Sequence, residues 1–318
     1  VWELNDNFLR AVRFARPETI PVDAAILPAT WSRHREALEE LVLEFPAVFG
    51  PYQAGSIDFD GYEGTYSAGR HVDPWGCVWE NLSPGLEALV VGHPLPRRED
   101  VHTFQPPPPG AGLPHGFMYM RLYYLRGYEE LMIDFAEGPP ELQLLIDKVL
   151  AYNLQELESI IASKPAIYYF GDDLGHQDRL PIHPDKWNRY LKPCYEKIFA
   201  RCREAGVIGY FHTDGHIVEI IDSLIDCGID VLNPQVGANG LENIARLAKG
   251  KVAICLDLDR QRFPFWSAQE IEQHVREAVE ALYLPEGGLL LQASLGPELP
   301  LSTIRAICEA LEKYRFYH

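Results

Sequence analysis

The stretch VIGYFHTDGHIVEIIDSLIDCGIDVLNP, residues 207–234, contains one complete unit of the architecture. VIGYF (207–211) is an unbroken apolar run of strand length. From 216 to 227, Ile217, Ile220, Ile221, Leu224 and Ile225 recur at helical spacing on one face, and DVLNP (230–234) is a second apolar run. Strands that are apolar throughout, rather than alternating, are covered on both faces, as in parallel sheets flanked by helices. Between the first strand and the helix stand His212, Thr213, Asp214 and Gly215, a polar cluster at a strand's C-terminal end.

The same pattern extends in both directions. Upstream come a helix over 139–163, strand AIYYF (166–170) and a helix over 184–205. Downstream come a helix over 239–248, strand VAICLD (252–257), a helix over 267–283, strand GLLLQ (288–292) and a helix over 300–314. Nearer the N-terminus, ETIPVDAAILP (18–28) holds a strand and 33–45 a helix. GFMYMRLYYL (116–125) reads as a strand running into a helix near Gly127. The count is about eight βα units, which predicts an α/β fold of the (β/α)8 TIM-barrel type. A doubly wound sheet is the runner-up, disfavoured because no GxGxxG or GxxxxGKS/T follows an early strand.

Between about 46 and 115 the alternation breaks down, predicting an irregular, aromatic-rich insertion within one barrel domain spanning 1–318. Residues 52–81 are rich in Gly, Tyr, Asp and Trp, with alternation that suggests short strands or a hairpin. QPPPPGAGLP (105–114) is a stiff, exposed connection.

Composition narrows the function. With 28 Lys and Arg against 46 Asp and Glu, the formal charge of −18 leaves no basic face for a phosphate backbone, so nucleic acid is not the partner. No apolar run approaches the roughly 18 residues of a membrane span. The six cysteines form no CxxC and no tight framework, which predicts reduced thiols and a cytoplasmic enzyme.

In a βα barrel, polar residues just beyond each strand's last apolar residue line the C-terminal mouth, where active sites lie. Here those residues are Asp172, Asp173 and Gln177, then His212 and Asp214, then Gln235, then Asp257 and Asp259, then Gln292 and Ser294. Each has a plainer reading. Asp172 caps a turn, Asp214 N-caps a helix starting at His216, and His212 is a hydrogen-bonded core histidine. Two chemistries fit His212-x-Asp214: metal binding, since imidazole and carboxylate are both zinc ligands, and proton transfer by a histidine charged and oriented by a carboxylate. Nucleophilic catalysis lacks support, because no GxSxG elbow exists and no cysteine sits beside a base.

Six segments in order, HVDPWGCVWEN, GDDLGHQ, HTDG, GIDVLNP, DLDRQ and GGLLLQ followed by GPELPLSTIRAI, together with AVRFARPETIPV near the start, resemble the uroporphyrinogen decarboxylase superfamily. That superfamily includes cobalamin-dependent methyltransferases, and the D-x-W-G pattern at 73–76 is similar to the methyltransferase-like branch. The resemblance implies a (β/α)8 barrel with its site at the C-terminal mouth. True decarboxylases of the family carry an Arg-rich RQAGR segment for the porphyrinogen carboxylates. Here that place reads ILPATWSRHRE, with only Arg33 and Arg35 nearby. The coenzyme-M-type methyltransferases hold zinc through His-x-Cys and a distant Cys after the last strand. Here His212 matches, Asp214 replaces the first Cys, and Ala293 or Ser294 stands in the second place.

The resemblance implies a corrinoid-dependent methyltransferase that demethylates a small O-methyl or N-methyl donor, with the corrinoid carried by a partner protein. His212 and Asp214 are the expected catalytic pair, supported by Asp173 and Asp259. Any metal, zinc included, would be held by His212 and Asp214, with Asp173, Asp259 or Gln292 as a further ligand. Asp172, Gln177, Gln235, Trp75 and Tyr119 are expected to line the substrate. The competing expectations are a carboxy-lyase acting on a carboxylated substrate and a non-catalytic binding homologue.

Overall fold

The structure is a computed structural model describing residues 4–110 and 112–317. It is a mixed α/β fold. The parallel strands are β1 (Val22–Ile26), β5 (Ile167–Gly171), β6 (Ile208–Thr213), β7 (Val231–Pro234), β8 (Ala253–Asp257) and β9 (Leu289–Leu295). They pair in the order β1-β9-β8-β7-β6-β5. The order follows the chain without reversal and sets the first strand beside the last. A doubly wound sheet would reverse direction at a switch point, so that alternative does not describe this chain.

Six parallel strands are present among the described residues, against the eight expected of a full barrel. The difference lies before β5. GFMYMRLYYL does not begin as a strand: Tyr119–Arg126 is a helix. Its start is fixed by the Asp172 carboxylate, which accepts hydrogen bonds from the N–H groups of Met118 (3.1 Å), Tyr119 (2.5 Å) and Met120 (2.8 Å). Just before it, Gly116 N–H donates to Gly171 C=O at 2.7 Å and holds the chain beside β5 without forming a strand. The aromatic-rich insertion forms short strands, as its alternation suggested. β2 (Gly69–Val72), β3 (Val78–Asn81) and β4 (Leu89–Gly92) make a separate three-stranded sheet.

The chain divides into two compact units. One comprises the chain through Ala68, Asn81–Ala88 and everything from Pro234 on; the other comprises Gly69–Glu80 and Leu89–Asn233. In the first, β1 pairs with β9 (Ala24 opposite Ala293) and β8 with β9 (Leu256 opposite Leu291). In the second, β5 pairs with β6 in a register that sets Gly171 opposite His212.

Every residue of β7 and β8 is buried, the polar Asn233 and Asp257 included. The helix Pro140–Ala162 buries Leu142, Leu145, Ile146, Val149 and Leu150 at three- and four-residue spacing. The helix expected over 184–205 is interrupted at Trp187–Leu191 by a wide π-type turn. Pro193 explains the interruption, since it has no N–H to donate to the carbonyl four residues back. Phe117, Phe170, Phe199, Phe211 and Tyr195 pack ring against ring in the second unit, with centroids 5.1–5.9 Å apart for the close pairs Phe117–Phe170, Phe170–Phe199 and Phe199–Phe211. Each such buried aromatic contributes about 1.5–3 kcal/mol. Among the described residues no helix is long and apolar enough to cross a membrane.

Candidate active site

Two loops of the second unit build the site. The first leaves β5 and carries Asp172 and Asp173; the other is the end of β6, with His212, Thr213 and Asp214. Backbone contacts join them. Gly175 N–H donates to Asp214 C=O (3.2 Å), His216 N–H to His176 C=O (2.7 Å), and Leu174 N–H to the Thr213 hydroxyl (3.0 Å). The α-helix expected from His216 begins only at Ile221, after a 3-10 turn at Val218–Ile220, so Asp214 is not its N-cap.

His212 is held at both ring nitrogens. Its Nδ1 lies 2.7 Å from Asn233 Oδ1 and its Nε2 3.2 Å from Asp214 Oδ1. Asn233 is 2% exposed and fixed in β7. With its oxygen accepting from Nδ1–H, the ring turns Nε2 toward the carboxylates, the arrangement that suits a metal-ligating or proton-carrying imidazole. Asp173 joins from the neighbouring loop, where its Oδ1 accepts from Asp214 N–H at 3.0 Å. One ligand atom each from Asp173, His212 and Asp214 lies within 4.8 Å of the others. No other such His, Cys, Asp or Glu group occurs among the described residues.

A fourth side chain has no counterpart among the residues the sequence singled out. His115 Nε2 sits 3.1 Å from Asp173 Oδ2, and its ring centroid is 5.7 Å from that of His212. Burial pulls the His115 pKa down, but the hydrogen bond and charge of Asp173 more than reverse this, and the net shift is upward. The position was legible only as a lone histidine directly after a stiff, proline-rich connection.

Asp172 and Asp173 are adjacent in sequence and opposite in role. Asp172 is fully buried; besides its three backbone donors it accepts from the Tyr195 hydroxyl at 2.5 Å. Burial pushes its carboxyl up to about 6, although those hydrogen bonds pull the other way. Asp172 therefore anchors a helix start, with its carboxylate turned into the interior. Trp75 and Tyr119, also expected to line the substrate, are both buried, each less than a tenth exposed. Trp75 packs on Tyr152 and Phe104 and under the Arg121 guanidinium. Gln177 is exposed on the loop after β5.

The remaining expected residues belong to the other unit. Gln235 bridges Asp257 through the backbone, and its C=O accepts from the Asn239 side chain at 2.9 Å. Gln292 is half-buried and accepts from the Cys255 thiol at 3.6 Å. The backbone N–H of Asp259 donates to His274 Nε2 at 3.2 Å, and the Asp259 carboxylate lies over Gly237. Asp259 is not part of the Asp173–His212–Asp214 group.

A model of the uroporphyrinogen decarboxylase (URO-D) family matches residues 119–314, more than half of the chain. The chain belongs to the uroporphyrinogen decarboxylase family. The match takes in β5 to β9 and all three members of the carboxylate–imidazole group. The fold is similar over 99% of both chains to a methyltransferase from Methanosarcina mazei, with a TM-score of 0.67 at 16% identity. Slighter likenesses link it to a B12-independent methionine synthase from Shewanella sp. W3-18-1 (17% identity, 62% of this chain and 58% of that one, TM-score 0.39). Another is to a dihydropteroate synthase from Anaplasma phagocytophilum (16% identity, 49% and 64%, TM-score 0.35). No curated protein sequence matches the chain.

Proposed function

We propose that this chain is a corrinoid-dependent methyltransferase that removes the methyl group of a small O-methyl or N-methyl donor at the mouth of a (β/α)8-type barrel. The observation that carries the reading is the group of one imidazole nitrogen and two carboxylates, with His212 Nε2 turned toward Asp214 by Asn233. Membership of a family of barrel enzymes and the fold shared with a methyltransferase support it.

Breaking the C–O or C–N bond of a methyl donor leaves the bonding pair on the heteroatom, which must then be neutralised. The corrinoid of a partner protein, when bound, supplies the nucleophile that accepts the methyl group. This chain's task is to hold the donor and to place positive charge on the departing heteroatom. His212 does so as an imidazolium, stabilised by Asp214 and donating its Nε2 proton. The donor set also fits a divalent cation of borderline or hard character, held by His212 Nε2, Asp214 and Asp173, and it lacks the thiolates of a soft, thiol-activating zinc site. Such a cation would polarise the same heteroatom as a Lewis acid.

The test is to mix the purified chain with cob(I)alamin and a panel of methoxy and methylamine donors, following formation of methylcobalamin and measuring bound metal in parallel. His212→Ala should reduce methyl transfer about 100-fold or more. The reading fails if no donor methylates the corrinoid while a carboxylated substrate loses carbon dioxide without it. It fails equally if His212→Ala retains full activity.

A further inference from the structure

We infer that His115 is a positioning residue of this site, and that the chain following the proline run is a built strap whose purpose is to deliver it to Asp173. The inference deepens the proposed function by adding a side chain to the same site.

The strap is anchored along its length by side chains of the sheet and of the helix Pro140–Ala162. Glu156 on that helix is 1% exposed, and its carboxylate accepts from the N–H groups of Gly110 (2.5 Å) and Gly112 (3.1 Å) and from the Tyr152 hydroxyl (2.9 Å). A carboxylate buried this deeply is stable only when such donors satisfy it, so the clamp and the strap depend on each other. The Tyr168 hydroxyl on β5 takes Leu113 N–H at 3.0 Å and donates to Leu113 C=O at 3.3 Å. Beyond His115, Gly116 is bonded to Gly171, Asn153 holds Phe117 C=O at 2.8 Å, and Asp172 takes the next three N–H groups.

Between these anchors, the His115 side chain reaches the carboxylate–imidazole group, with Nε2 3.1 Å from Asp173 Oδ2. The fit around it is close, since a Cβ on Gly171 would lie 2.2 Å from His115 Nδ1. Pro106–Pro109 have fixed φ and no N–H, so they lower the entropy lost when the strap docks and leave no donor of their own to satisfy.

The consequence falls on Asp173. Its Oδ2 is taken by His115 and its Oδ1 by Asp214 N–H, which fixes the carboxylate plane relative to His212. Side chains that orient a functional carboxylate in this way typically contribute 10- to 100-fold to affinity or activity.

The experiment uses the full chain labelled with nitrogen-15 histidine, free of metal, and reads the His115 ring N–H by NMR. The proton shared with Asp173 should be slow to exchange with water. It should exchange at least tenfold faster in Glu156→Gln, and in Tyr168→Phe, which removes a different anchor of the strap should the first variant fail to fold. Zinc titration by calorimetry should then show affinity about 10- to 100-fold lower in His115→Ala and mostly restored in His115→Gln, whose amide can still donate to Oδ2. A ring N–H whose exchange ignores both strap variants overturns the inference, as does zinc affinity unchanged in His115→Ala. If the wild-type chain takes no zinc, the cation form of the proposed function falls, and the exchange measurement alone still decides for or against the strap.

Discussion

Gly175 and Gly215 lie back to back where the loops after β5 and β6 meet: a Cβ on Gly215 would fall 2.1 Å from Gly175 C=O, and one on Gly175 would fall 2.3 Å from His216 N. Gly215 also holds φ +85°, in the left-handed region. These two positions explain why GDDLGH and HTDG each contain a glycine two residues or one residue past an aspartate of the carboxylate–imidazole group. Only backbones without side chains can approach closely enough to set Asp173 beside Asp214.

Gly215→Ala combines backbone strain with a clash against main chain, which cannot rotate away. It should destabilise the protein by about 2 kcal/mol or more, visible as a lower midpoint in urea denaturation. A midpoint equal to wild type would mean that the two loops are not packed as described.

Asn233 sets the tautomer of His212. Asn233→Ala should lower methyl transfer by about 10- to 100-fold by releasing the ring. Asn233→Asp keeps an oxygen on Nδ1–H and should lose far less. Initial rates with a fixed methyl donor check this, and equal rates in the two variants would refute it.

His274 is kept neutral. Burial lowers its pKa, against the opposing charges of Asp259 and Glu277, and Nε2 accepts from Asp259 N–H. A base with a depressed folded pKa binds fewer protons folded than unfolded. Its contribution is therefore complete above the ordinary histidine value of about 6.5 and is lost as pH falls through the lower folded value. His274→Gln can still accept that bond through its amide oxygen and does not titrate. Denaturation midpoints between pH 7 and 5 should fall less steeply for the variant than for wild type.

All six cysteines are buried, and burial pushes the thiols of Cys77, Cys194, Cys202 and Cys227 up to about 12. The folded protein should react slowly with a neutral-pH thiol reagent such as DTNB, and all six should react once it is unfolded. A fast stoichiometric reaction in the native state would point to a thiolate that this structure does not contain.

Several elements were legible because they are periodic. The helix over 139–163 was expected within one residue of where it lies, and β5 to β9 followed from short apolar runs. His212, Asp214 and Asp173 stood out as polar residues at strand ends. The helix at Tyr119–Arg126 was misread because its first N–H groups are capped from 52 to 54 residues away, by Asp172. Such a cap leaves no local signature. Asp172 and Asp173 both follow the same strand, and successive side chains leave an extended backbone in opposite directions, so only one could face the group.

The sequence by itself determined the α/β alternation, the parallel strands and the family, since these rest on local periodicity and on motifs in order. Tertiary structure decided which polar residues came together. It buried Asp172 under a distant helix start and turned His212 with an amide from the next strand. It also brought His115 to Asp173 across 58 residues by way of a clamped strap. Those outcomes depend on contacts between segments far apart in the chain, where the geometry of packing, and not residue spacing, sets which atoms meet.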